Sequence, residues 1–280
     1  MKVGMGISWG AISVINAMPC GIGAVIGTEL TTRSEFIPEG RKRTVEITND
    51  PSEPTLLAEL CVSAAYAELK IDEPEGWRLK TTSEIPPSRG LKSSSSAANS
   101  ILSAVFDELG HSVDSMRMIR LGVDCAKRAG VTKTGSFDDA CGCHFGGFTI
   151  TNNTDNEVIL MEDFPVYDVI LHIPDVKIRK SGLDMDSLAA VADRQRGVIK
   201  LSETDPLGAL TENGRLIAEA SDLDNSVAED ALKAGALAAG ITGSGPATAI
   251  VTEEGKGKEF VGNTGLKNII ITKTRSLMKQ

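Results

Sequence analysis

Along residues 2–48 apolar β-branched side chains alternate with polar positions and are punctuated by Gly21, Gly23 and Gly27, with no sustained helical period, so this stretch is expected to form strands. Asp50-Pro51-Ser52-Glu53 then offers a capping Asp, a Pro at the first helical position and a Glu three residues after the cap. A helix is expected over 54–69. A strand over 78–85 follows, then a helix over 94–109 that stops near Gly110 and another over 113–128 that ends before Gly130. Residues 145–151 and 158–161 read as strands joined by the polar turn Asn152-Asn153-Thr154-Asp155-Asn156. That turn is the expected boundary between an N-terminal domain, 1–155, and a C-terminal domain, 156–280. The second part reads as a strand over 167–173, helices near 185–201, 206–220 and 226–239, and strands over 247–252 and 268–274.

Composition narrows the function classes. The chain has 280 residues with 29 Lys and Arg against 38 Asp and Glu, a formal net charge of −9, which argues against a nucleic-acid partner. A hydrophobic content of 41% and a charged content of 24% are ordinary for a globular protein. The five cysteines are odd in number and form no CxxC pair, the pattern of reduced thiols in a cytoplasmic protein. No apolar run approaches the roughly 18 residues of a membrane span. The start MKVGMGISWG lacks a basic segment followed by an apolar one, so neither a leader nor a membrane partner is expected.

The segment with most chemical content is Pro86-Pro87-Ser88-Arg89-Gly90-Leu91-Lys92-Ser93-Ser94-Ser95-Ser96-Ala97, between an expected strand and an expected helix. Gly90 permits a tight backbone, the serines supply hydroxyls, and a helix N-terminus supplies free N–H groups and partial positive charge, which together suit a phosphate. The same residues also suit a plain serine-rich cap. A P-loop is excluded, because the one Gly-Lys pair, Gly255-Lys256, is followed by Gly257 rather than Ser or Thr. Gly4-x-Gly6 and Gly21-x-Gly23 have the wrong spacing for a dinucleotide fingerprint and read as turns and close strand contacts. A second glycine cluster, Gly240-Ile241-Thr242-Gly243-Ser244-Gly245-Pro246, reads as a tight link between a helix and a strand. The third feature is Gly135-Ser136-Phe137-Asp138-Asp139-Ala140, where one more carboxylate is present than a helix cap needs. Cys141-x-Cys143-His144 offers three zinc-type ligands without a partner pair at the usual spacing and reads as small buried residues.

These three segments, in this order, resemble the GHMP kinase superfamily: 86–97 is similar to its phosphate loop, 243–246 to its C-terminal glycine motif, and 135–147 to the stretch that carries a catalytic Asp. Within the superfamily the chain resembles the archaeal shikimate kinase branch, on Gly10-Ala11-Ile12-Ser13-Val14-Ile15-Asn16-Ala17, on Gly90-Leu91-Lys92-Ser93-Ser94-Ser95 and on Phe137-Asp138-Asp139-Ala140. Trp9 stands where that branch often carries His.

The resemblance implies an α+β fold, a ribosomal-protein-S5-like N-terminal domain and a ferredoxin-like C-terminal one, with ATP, Mg²⁺ and shikimate in the cleft between them. It implies nucleotide contacts from Pro86, Ser88, Arg89, Gly90, Leu91, Lys92, Ser93, Ser94, Ser95, Ser96, Gly243 and Ser244. Ser94 aligns with the Mg²⁺-contacting hydroxyl, with Ser93 and Ser95 as alternatives. Lys92 faces either a phosphate or solvent. Asp139, at seven residues before Gly146, is the expected base and Asp138 its competitor, with Lys133 nearby. Arg179 is expected to hold the substrate carboxylate, and Ser13, Asn16 and Asp139 its hydroxyls. Homoserine and mevalonate-pathway kinases, and a catalytically silent metabolite sensor, are the competing readings.

Overall fold

The structure, a computed structural model, describes residues 2–48, 50–132, 134–175 and 184–279. Its first sheet is built around one long antiparallel pair, β1 (Gly4–Ile15) and β2 (Ile22–Ile37). The free side of β2 is long enough to take two partners: its start pairs with β5 (Phe148–Asn152) and its end with β4 (Trp77–Ser83). β3 (Arg43–Ile47) adds in parallel beside β4, and β6 (Glu157–Glu162) adds antiparallel beside β5. The order is β3-β4-β2-β5-β6, with β1 on β2.

Helices α1 (Leu56–Leu69), α2 (Ser93–Leu109) and α3 (Ser115–Arg128) share an apolar cluster with Phe36, Trp77 and Leu79 of this sheet. Gly4 and Gly6 explain how α2 sits so low on β1. A Cβ at either would lie 2.0 Å from a carbonyl oxygen of α2, of Ala104 and Ser100 respectively. The expectation of close strand contacts is met there.

The second sheet is antiparallel throughout, in the order β10-β7-β9-β8, with β7 (Tyr167–His172), β8 (Ala238–Ile241), β9 (Thr248–Glu253) and β10 (Ile269–Lys273). One apolar cluster joins the two sheets, because Ile12, Val14 and Ile26 of the first pack with Val169, Leu171 and Ala249 of the second. The polar turn at 152–156 lies within the first sheet, joining β5 to β6, and the chain passes from one sheet to the other at 163–166. After β10 the chain returns to the first sheet, where Thr274 bridges Thr28.

Several expectations are corrected. Asp50 does not cap α1: its carboxylate takes the Ser52 hydroxyl at 2.6 Å and closes a separate turn, and α1 starts after Thr55. Residues 137–145, where no helix is expected from sequence, form the helix α4 (Phe137–Phe145), and the strand expected from 145 starts only at Phe148. The stretch 185–201 is two helices, α5 (Met185–Ala190) and α6 (Ala192–Ser202), whereas α7 (Pro206–Ala220) stands where expected, capped by Asp205 with Pro206 in its first turn. The helix expected over 226–239 ends early as α8 (Ser226–Lys233), and the Ala-rich remainder forms buried β8. The second glycine cluster therefore joins two strands rather than a helix and a strand. A short helix, α9 (Gly257–Thr264), carried no clear sequence pattern.

Candidate active site

The loop before α2 is wound tightly by three left-handed residues, Ser88 (φ 58°), Gly90 (φ 80°) and Lys92 (φ 68°). Lys92 leads directly into the helix with no side-chain cap. Ser96 N–H makes the first helical bond, to Lys92 O at 3.0 Å, which leaves the N–H groups of Ser93, Ser94 and Ser95 at the open N-terminus. Such a terminus favours an anion. Ser93 and Ser94 are half-buried, while Ser95 and Ser96 are buried within the fold. Leu91 is also buried, in the cluster that joins the sheets, so only its backbone is available to a ligand.

Gly90 and Gly243 lie face to face. A Cβ on Gly90 would meet Thr242 O at 2.1 Å, and one on Gly243 would meet Gly90 O at 2.6 Å. Ala247 N–H also donates to Arg89 O at 3.2 Å. The two glycine segments, some 150 residues apart in the chain, thus form one backbone unit.

Below this unit a narrow cleft is lined by Ser13, Asn16, Ala17, Met18, Lys92, Thr134, Ser136, Asp138, Asp139, Gly243 and Ser244. Of the residues expected from sequence, Ser13, Asn16, Lys92, Asp138, Asp139, Gly243 and Ser244 meet there. Pro86, Ser88, Arg89, Gly90, Leu91 and Ser93 to Ser96 do not line it; they form the adjoining loop and helix start. Arg89 reaches Asp175 O at 3.2 Å. Arg179 and Lys133 lie outside the described residues.

Lys92 turns inward. Its ammonium lies 2.9 Å from Asp139 Oδ1 and 2.6 Å from Ser13 Oγ, and the Lys92 and Asp139 side chains are only 5% and 7% exposed. The contact with Asp139 is an ion pair without hydrogen-bond alignment, and Oδ1 accepts no hydrogen bond. Asp138 is held differently. Asn153 Nδ2 donates to its Oδ1 at 2.7 Å, and its own N–H donates to Asn153 Oδ1 at 3.1 Å. Gly23 makes room for it, since a Cβ there would fall 2.2 Å from Asp138 Oδ2. Burial pushes the Asp138 carboxyl up to about 6, the charge of Asp139 adds to the rise, and Lys92 and Asn153 oppose it.

Sequence reasoning missed the buried amides behind the cleft. Asn213 Oδ1 accepts from Asn16 N–H at 2.9 Å and from Gln195 Nε2 at 3.2 Å, and Gln195 Nε2 also donates to Asn16 O at 2.8 Å. Asn16 Nδ2 in turn donates to Gly243 O at 2.8 Å. The only trace of Gln195 and Asn213 in sequence is an amide residue inside each of two expected helices, and the structure buries both fully, in α6 and α7. Asn153, read as part of a boundary turn, is the clasp of Asp138.

Behind α4 the thiols of Cys141 and Cys143 are pushed up by burial. Burial and the nearby Arg275 push His144 down to about 4, and its Nε2 lies 2.9 Å from Ser115 Oγ. Arg275 stacks over Trp9 at 4.1 Å and donates to His144 O at 2.8 Å. No helix among the described residues is long and apolar enough to cross a membrane.

Residues 57–147 match the family described as GHMP kinases N terminal domain. The shikimate kinase of Methanothrix thermoacetophila is 35% identical over 262 residues, covering 92% of this chain and 88% of that protein. The shikimate kinase of Pyrococcus abyssi is 34% identical, covering 90% and 92%. The crystal structure of Methanococcus jannaschii mevalonate kinase shares the fold, with a TM-score of 0.80 at 16% identity and coverage of 99% and 98%.

Proposed function

Because the chain belongs to the GHMP kinase family, among whose members archaeal shikimate kinases match it nearly end to end, we propose that it transfers the γ-phosphoryl group of ATP to the 3-hydroxyl of shikimate. The observation that carries the site assignment is the buried Lys92–Asp139 pair, 2.9 Å apart, beside the open N-terminus of α2.

Phosphoryl transfer asks a protein for positioning, charge neutralisation and an oriented nucleophile. The N–H groups of Ser93, Ser94 and Ser95 and the backbone of Gly90, backed by Gly243 and Ser244, receive the phosphates. Asp139 accepts the proton of the attacking hydroxyl, and Lys92 offsets the charge that Asp139 carries before transfer. Asp138, clasped by Asn153, is the less mobile acid and positions Asp139 through the helix they share. Asn16 faces the sugar-like hydroxyls. Arg179 is kept as the partner of the substrate carboxylate on chemistry alone.

Mg²⁺ fits the donor set. Two adjacent carboxylates are buried here and only one of them pairs with a lysine, so the cluster lacks a positive charge, and its oxygen donors suit a hard cation. Among the described residues no group of three or more His, Cys, Asp and Glu side chains forms a cage, so a bound ion would need further ligands from phosphate or water. Asp138, Asp139 and the Ser94 hydroxyl would hold it. When bound, the ion supplies charge neutralisation of the phosphates. The surroundings expected for this chemistry are cytoplasmic.

The test is ADP release by the purified protein with shikimate, homoserine or mevalonate as acceptor. Turnover with shikimate is expected. Phosphorylation of homoserine or mevalonate with shikimate inert would overturn the substrate assignment, and tight binding of ATP and shikimate without transfer would make the protein a sensor.

A further inference from the structure

We propose that Ser13 is a catalytic hydrogen-bond donor whose hydroxyl proton meets an anionic oxygen of the phosphoryl group in transit. The inference rests on the kinase reading and goes beyond the contact with a substrate hydroxyl expected from sequence.

The argument is one of hydrogen-bond accounting. A serine hydroxyl has one proton to give and two lone pairs to receive. At Ser13 both receiving positions are filled, by Lys92 Nζ at 2.6 Å and by Gly243 N–H at 3.0 Å. Neither donor can accept a hydrogen bond in return, because an ammonium and an amide N–H offer no lone pair. The proton of Ser13 must therefore point elsewhere. Among the described residues it has no acceptor. The residue is 1% exposed, and its N–H is fixed to Thr242 Oγ1 at 2.9 Å, so it does not turn away into bulk water. Its side chain borders the cleft, and a group entering the cleft is the acceptor available to it.

The chemistry of that acceptor follows from the donors. A hydroxyl that accepts from an ammonium and from a backbone N–H is polarised and becomes a stronger donor itself. Such a donor is best matched by an oxygen with negative charge. Position then distinguishes the phosphoryl group from a substrate carboxylate. Ser13 and Asp139 are bridged by the same ammonium, so Ser13 lies next to the acid that receives the proton of the attacking hydroxyl. The atom bonded to that hydroxyl oxygen as its proton leaves is phosphorus, and the nearest anionic oxygens are those on phosphorus. Ser13 keeps its proton throughout; no bond to it forms or breaks.

The experiment compares ATP with its γ-thio analogue in the wild type, Ser13→Ala and Ser13→Thr. Sulfur is a poorer hydrogen-bond acceptor than oxygen, so a donor that contacts the moving group enlarges the rate difference between the two nucleotides. Ser13→Ala is expected to lower kcat about 100-fold with KM for both substrates within about threefold. It should also shrink the ATP to thio-ATP rate ratio at least about threefold relative to the wild type. Ser13→Thr, which keeps the hydroxyl, should restore most of both. An unchanged kcat in Ser13→Ala overturns the proposal. So does a lower kcat with an unchanged thio ratio, because Ser13 would then act only by holding Lys92 and Gly243. A rise in shikimate KM alone also overturns it and makes Ser13 a ground-state contact. If the wild type phosphorylates a different alcohol, the substrate reading fails but the same comparison decides Ser13 with that alcohol. Absence of transfer to every acceptor overturns both.

Discussion

Asp138→Asn should make the protein more stable at neutral pH and leave it unchanged near pH 4. Asp138 is buried beside a second acid, and its carboxyl is raised from an ordinary 3.8 to about 6. At about 1.4 kcal/mol per pH unit, that change is worth about 3 kcal/mol. Its sign follows from proton linkage. The folded chain binds this proton more tightly than the unfolded chain does, so the contribution is fully present below about pH 3.8 and is lost as pH rises through about 6. Above that, the fold carries the cost of a buried, like-charged carboxylate.

The amide has the same shape, fits the space that Gly23 leaves, and its oxygen still accepts from Asn153 Nδ2. Nothing else in the local geometry need change. For 280 residues with an unfolding entropy of about 2.1 cal/mol/K each, 3 kcal/mol corresponds to a Tm about 5 °C higher. Thermal denaturation followed by circular dichroism at pH 4, 6 and 8 measures the gap between variant and wild type. A gap near zero at pH 4 that opens to about 5 °C at pH 8 is expected. Equal Tm values at pH 8, or a gap that does not vary with pH, would refute the reasoning, because either result means that Asp138 carries no raised proton affinity in the fold.

Other expected outcomes follow from the same geometry. Asp139→Asn should lower kcat by about 10²- to 10⁴-fold in the ADP-release assay while ATP binding by calorimetry changes little, since in the proposed mechanism the acid serves the acceptor hydroxyl. Gly90→Ala should lose about 2 kcal/mol or more of stability in urea titrations and raise KM for ATP. The left-handed backbone and a Cβ 2.1 Å from Thr242 O both oppose it. Arg275→Ala removes the stack on Trp9 and the bond to His144 O. About 1–3 kcal/mol should be lost, seen as a Tm lower by several degrees.

Much of the fold was legible where local chemistry acts alone. The end of α2 at Gly110 follows from a left-handed glycine, and the start of α7 from Asp205 and Pro206. Sequence reasoning failed where a competing local or distant interaction decides. Asp50 carries capping chemistry, yet the nearby Ser52 hydroxyl claims its carboxylate. The alanines at 238–239 favour a helix in isolation, but pairing with β9 inside the second sheet outweighs propensity. Helix α4 was not visible because Gly142 and its buried cysteines break any amphipathic pattern, the helix being buried on nearly every side. At the cleft, several of the residues that meet were readable from their motifs, but the contacts between them were not. Nothing near Asn153 in sequence points to Asp138, and nothing near Lys92 decides between a phosphate and Asp139.

The meeting of Ser13, Lys92, Asp139 and Gly243 explains why each motif was ambiguous when taken alone. Gly90 and Gly243 are glycines because two backbones must touch, and that contact brings Gly243 N–H to Ser13. Ser13 then receives Lys92 at the end of a half-buried loop, and the ammonium is left within reach of Asp139. A buried acid without such a cation would be strongly destabilising. The serine-rich turn can therefore be more than a cap only because the second sheet supplies the loop that fixes Lys92 over the acids. Charge placement at the cleft therefore depends on both sheets: the first carries the acids with Lys92 and Asn153, and the second supplies Gly243, which holds Ser13 and packs on Gly90.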